Sequence, residues 1–157
     1  MELRKDPITR SWIRVGHQGD LSGRVEGCPL CLGHAADLPT VLALPSSTNP
    51  QVRVVPHPQP LYRIEGNVER LPEGIYDRMR PVGAHEIVIE SPDHCQSLAR
   101  MSDDEIETVL EAYALRLVDL KRDPRFKYVT VFRNHGTLAG REFEHPSSQS
   151  SRGNLPI

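Results

Sequence analysis

The order of apolar patterns along the chain predicts an α+β domain, an antiparallel sheet with one long helix packed on a face of it. Three observations carry this. Short strand-like runs recur at residues 52–55, 85–90 and 126–133. A single long stretch of helical period lies between the last two. Fourteen prolines in 157 residues argue against an all-helical chain. The length fits one domain over residues 1–157, enough to bury a core.

Taken in order, residues 2–16 read as an arm, a turn at Asp6–Thr9 and a short strand, Trp12–Val15. Gly16 to Gly27 reads as loop, and Cys28-Pro-Leu-Cys31 as a compact knuckle. Residues 34–50, with Pro39, Pro45, Pro50 and Ser46-Ser-Thr-Asn49, read as an irregular connection. Val52–Val55 is a strand closed by the proline cluster 56–60, and residues 61–83 form a second polar connection. His85–Glu90 reads as a central strand.

The helix begins near Ser102. Ser102 and Glu105 have the spacing of a capping box, and Asp103 and Asp104 place negative charge at the positive end of the helix dipole. Ile106, Val109, Leu110, Tyr113, Leu117 and Leu120 fall on one face. Asp123-Pro124 ends it, because the residue before a proline is biased away from helix. Phe126 to Arg133 is a strong strand.

Net charge is −2, from 19 basic and 21 acidic residues, which gives no general attraction to nucleic acid or to an anionic membrane. No apolar run reaches the length of a spanning helix and no signal-peptide pattern opens the chain, so the cytoplasm is the expected compartment. Three cysteines do not suit a disulfide framework.

Chemistry concentrates near the C-terminal end, where His145-Pro146 is followed by Ser147, Ser148 and Gln149. The C-x-x-C at Cys28 and Cys31 brings two sulfurs to one side of a turn, as a metal site needs; a redox pair or two inert thiols are the alternatives. His94 or its neighbour Cys95 can supply a third ligand and His145 a fourth. Spacing alone does not pick these histidines from seven, and ordinary loop histidines remain the other reading. Arg133 and Arg141 read as solvated charge, with an anion contact as the alternative, and Glu144 as either a residue orienting His145 or a solvent-facing one.

Several segments, in one order from end to end, resemble the N-terminal half of the galactose-1-phosphate uridylyltransferase family of the histidine-triad superfamily. They are Glu2–Thr9 with Trp12, Cys28–Cys31, Val52–Pro56, Gly83–His94, Asp123–Arg125 with Tyr128, and Val131–Gly136 through Gly140 to His145-Pro146. The resemblance implies a histidine-triad-like antiparallel half-barrel with one long packed helix. It implies zinc held by Cys28, Cys31, His94 and His145. It also implies a nucleotide sugar or sugar phosphate as ligand, with Asn134 and Gly136 near the phosphates.

In that family a histidine attacks the α-phosphorus of UDP-glucose, and the uridylyl group then passes to galactose 1-phosphate. Here the nucleophile position is Ser147, whereas Gln149 matches the phosphate-binding Gln. A hydroxyl ionises far above neutral pH and, once uridylylated, forms a stable phosphodiester. Uridylyl transfer is therefore expected to be impaired or changed. His57 stands where the family has an Asn at the nucleoside, and residues 150–154 read Ser-Ser-Arg-Gly-Asn where the family strand is apolar. A single His-to-Ser exchange accounts for neither. The family also has a second, related half, so a homodimer is expected to supply what this chain does not. Outside the family activity stand two alternatives: an enzyme repurposed for a specialised pathway, and a non-catalytic zinc-stapled binding domain.

Overall fold

The computed structural model describes residues 2–16, 27–31, 33, 38–126 and 128–154. The parts of the expected connections at 17–26 and 34–37 lie outside the described residues. The strands are β1 (Glu2–Lys5), β2 (Trp12–Val15), β3 (Leu42–Leu44), β4 (Val52–Pro56), β5 (Arg70–Glu73), β6 (Tyr76–Met79), β7 (Gly83–Ile89), β8 (Tyr128–Phe132) and β9 (Ser147–Gly153). The helix α1 spans Asp103–Leu120, between β7 and β8. The expected antiparallel sheet with one long helix on it is the five-stranded sheet in the order β3-β4-β7-β9-β8.

A second, four-stranded sheet in the order β2-β1-β6-β5 corrects the sequence reading. The arm at 2–5 is β1, paired with both β2 and β6. The polar connection at 61–83 holds the β5–β6 hairpin, turned at Gly74 with a φ of 62°. Its strands were missed because every β5 residue is exposed, so no buried face imposes an apolar alternation. Within 34–50, Leu42–Leu44 adds an edge strand to β4.

In the main sheet the residues of β7 alternate between two faces. Val88, with Val52 and Val54 of β4, meets Met101, Val109 and Ala112 on the helix side. Ile87 and Ile89, with Val55, meet Leu30 and Phe143 on the other. Full burial of each such valine or isoleucine contributes about 1.5–3 kcal/mol.

The capping box forms as expected: the Glu105 N–H donates to Ser102 Oγ at 3.3 Å, and the Ser102 N–H to Glu105 Oε2 at 2.7 Å. The helix stripe is not wholly apolar, however. Leu110 is 56% exposed, whereas Arg116 is buried. Arg116 turns to the sheet because Glu86 faces the helix: its Nη2 and Nε donate to the two carboxylate oxygens at 2.7 and 2.9 Å.

The polar strand β9 follows the same logic. Ser148, Ser150 and Arg152 point to the helix side, where Ser150 Oγ donates to Glu86 at 3.2 Å. Ser148 Oγ and Tyr113 Oη both donate to Glu90 Oε1, and Arg133 Nε donates to its Oε2 at 3.1 Å. Arg133 is thus more than solvated charge: half-buried, it meets a fully buried carboxylate of its own chain. Burial, then the Glu90 charge, pushes the Tyr113 phenol well above its ordinary value. Gly153 lets the ring of Tyr62 lie against the strand, since a Cβ there would fall 2.4 Å from that ring.

Candidate functional site

The side chains of Cys28, Cys31, His94 and His145 converge, each offering a ligand atom within 4.8 Å of the others. His145 Nδ1 lies 3.8 Å from Cys28 Sγ and 3.6 Å from Cys31 Sγ, and His94 Nδ1 lies 3.5 Å from Cys31 Sγ. This cluster can hold a metal ion.

Local structure aims each ligand. The Cys31 N–H donates to the Cys28 carbonyl at 3.3 Å, closing the C-x-x-C turn. Ser91 Oγ accepts from the Asp93 N–H and Asp93 Oδ1 from the Cys95 N–H, a pair of side-chain turns that present His94. His145 is buried, and its Nε2–H donates to the Ser91 carbonyl at 2.7 Å, leaving Nδ1 bare towards the sulfurs. Burial pushes the His145 ring down from its ordinary value, which favours the neutral, metal-binding form. Burial, then the neighbouring Cys28 thiol, pushes the Cys31 thiol up, so a thiolate here calls for a cation beside it. Of the His94–Cys95 pair, the histidine faces the cluster and Cys95 is exposed. Glu144 is exposed, and the contact that orients His145 comes from the Ser91 carbonyl instead.

A second constellation lies on the same side of the sheet. His57, at the end of β4, lies flat against His85 of β7. The Gln59 N–H donates to His57 Nδ1 and the Leu61 N–H to His85 Nδ1, so each ring carries its proton on Nε2. His57 Nε2 donates to Glu142 Oε2 at 3.1 Å, and His85 Nε2 to Gln149 Oε1 at 2.9 Å. Gln149 Nε2 then donates to Glu142 Oε2 at 3.2 Å, closing the ring of contacts. Sequence reasoning found His57 and Gln149 but missed His85 and Glu142. Their only signal is position: His85 starts the central strand, and Glu142 is three residues before His145.

Ser147 is half-buried at the start of β9, and its Oγ donates to the His145 carbonyl at 3.1 Å. It shares a small dimple, of about 10 Å³, with Phe132, Asn134, Arg141, Glu142 and Gln149. Asn134 Nδ2 donates to the Gly140 carbonyl at 3.3 Å, and Gly136 sits at a φ of 81° at the start of the 137–139 turn. Both shape the turn leading to the dimple. A larger cleft of about 610 Å³ opens at the other end of β7, against His57, His85, Tyr62, Arg116 and Phe126.

Residues 61–152 match the model of the galactose-1-phosphate uridyl transferase N-terminal domain. An ADP-glucose phosphorylase from Arabidopsis thaliana is 28% identical over 165 residues, covering 94% of this chain and 47% of that protein. A galactose-1-phosphate uridylyltransferase from Thermotoga maritima is 28% identical over 152 residues, covering 95% of this chain and 45% of that one. A solved uridylyltransferase structure superposes with a TM-score of 0.75 at 27% identity, over 100% of this chain and 46% of that one. The chain thus spans about half the length of the curated relatives it matches. Among the described residues no helix is long and apolar enough to cross a membrane. The chain belongs to the galactose-1-phosphate uridyl transferase family, through that family's N-terminal domain.

Proposed function

We propose that this chain is a zinc-binding member of the family that binds a nucleotide sugar or sugar phosphate, and that its uridylyl transfer is impaired or changed. The observation that carries the reading is the state of Ser147. Its hydroxyl donates to a backbone carbonyl, and no imidazole or carboxylate is hydrogen-bonded to it among the described residues. An alcohol without a base beside it is a poor nucleophile at neutral pH. Gln149 stands at the family's phosphate-side position, with its amide held by His85 and Glu142, and Asn134 and Gly136 shape the loop beside it.

The donor set fits zinc. Four ligands at tetrahedral angles, with the usual zinc–sulfur and zinc–nitrogen lengths, put sulfur and nitrogen about 3.6 Å apart. The three sulfur–nitrogen separations here are 3.5, 3.6 and 3.8 Å. With four protein ligands the ion has a closed shell, so its contribution is to fix the 145–149 segment. The two thiols point to a reducing compartment such as the cytoplasm.

The relatives named above act on nucleotide sugars or sugar phosphates by name, which supports the ligand class. A homodimer, in which a second copy supplies further contacts, is part of the reading; light scattering of a pure monomer at high concentration would remove it. A second reading, a repurposed enzyme, is favoured by the 610 Å³ cleft, which is far roomier than the dimple at Ser147.

The deciding experiment assays uridylyl exchange from UDP-glucose with the chain as it stands and with Ser147→His. No exchange by the unaltered chain is expected, and clean exchange overturns the reading. Activity gained by S147H locates the loss at this one position.

A further inference from the structure

Glu142 is the unassigned group in the site. Its Oε2 accepts from two donors: His57 Nε2–H at 3.1 Å and the Gln149 amide, which lines the dimple at Ser147, at 3.2 Å. Neither donor can turn away. The His57 tautomer is set by the Gln59 N–H on its Nδ1. The Gln149 amide is oriented by His85, which donates to its Oε1 and so sends its NH2 towards Glu142. His57 and His85 are themselves buried.

The hydrogen bond from His57 outweighs burial and, with that from Gln149, holds the Glu142 carboxyl below its ordinary range, so it is an anion at neutral pH. With this side chain in place the dimple keeps about 10 Å³, roughly the room of one water. Arg141 is the cation among its lining residues.

We propose that Glu142 is a specificity-determining residue: its carboxylate occupies the donors an incoming phosphate would use, so the subsite beside Gln149 takes a hydroxyl-bearing, uncharged part of a ligand. This rests on reading the Ser147–Gln149 face as the ligand-binding face. Two anions at hydrogen-bond distance repel, and a phosphate that takes the Gln149 N–H facing Glu142 must displace that carboxylate. A hydroxyl instead gains an acceptor there.

The test compares nucleoside with nucleotide. Calorimetric titrations of uridine and UMP, and of adenosine and AMP, are run on the unaltered protein, E142Q and E142A. Thermal unfolding checks that each variant is folded, and two substitutions guard against one that fails. In the unaltered protein the phosphate is expected to add less than threefold to affinity. In E142Q or E142A the nucleotide is expected to bind at least tenfold tighter than its nucleoside. A nucleotide preference of tenfold or more in the unaltered protein, unchanged in the variants, overturns the proposal and leaves the ligand-binding reading standing. Failure of all four compounds to bind any of the three proteins removes that reading, and the proposal with it.

Discussion

His57 and His85 stack ring on ring, with centroids 4.2 Å apart and planes 7° from parallel. Two imidazoles this close cannot both be charged without mutual repulsion. Burial first, then the neighbouring His57, pushes His85 down to about 4. Its unfolded value is about 6.5. Below the unfolded value the unfolded chain binds a proton that the folded chain refuses. Stability is therefore full above pH 6.5 and falls with pH down to about pH 4, by roughly 3 kcal/mol in all. Denaturant midpoints at pH 7.5, 6, 5 and 4 read this directly. His85→Gln should flatten the slope, and an unchanged slope in that variant would assign it to other groups.

Metal removal should loosen the Cys28–His145 cluster. Zinc-loaded protein is expected to unfold at a clearly higher temperature than chelator-treated protein, with Cys28→Ser resembling the treated form. An unfolding temperature indifferent to chelator, in protein shown by elemental analysis to have carried zinc, counts against a structural role for the ion.

The Glu86–Arg116 pair is nearly enclosed, with side chains 8% and 9% exposed. Arg116→Ala leaves a buried carboxylate without its cation and should cost about 3–5 kcal/mol. The double change Glu86→Leu with Arg116→Met should recover most of that, because it removes the uncompensated charge. Urea unfolding of the three proteins distinguishes a costly orphan from a net attractive pair.

Ser102→Ala should cost about 1 kcal/mol, since it strips Oγ from the Glu105 N–H at the start of α1. Ser102→Asp should be near neutral, as it keeps an acceptor and favours the helix dipole. Equal losses in both variants would show that the hydroxyl itself matters.

Much of this fold could be read from the chain. The helix limits follow from Ser102, Glu105 and the Asp123-Pro124 stop, all local signals. Val52–Val55 and His85–Glu90 read as strands because both faces of the central strand are buried. What stayed hidden is non-local. Arg116 interrupts the helix stripe only because Glu86, thirty residues earlier, faces it. Residues 147–153 gave no apolar alternation, since both faces of β9 bond to polar partners. The C-x-x-C spacing pointed to Cys28 and Cys31, whereas His94 and His145 were selected by resemblance, as spacing alone left seven histidines open. Glu142 was invisible because its partners lie 85 and 7 residues away.

Glu90 and Ser91 are neighbours in sequence that serve opposite sides of the sheet. The first gathers Tyr113, Ser148 and Arg133 beneath the helix; the carbonyl of the second steadies the His145 ring. One peptide unit therefore joins the Cys28–His145 cluster to the helix seat. Strain at either end has a covalent path to the other, and amide exchange around Tyr113 should quicken in chelator-treated protein.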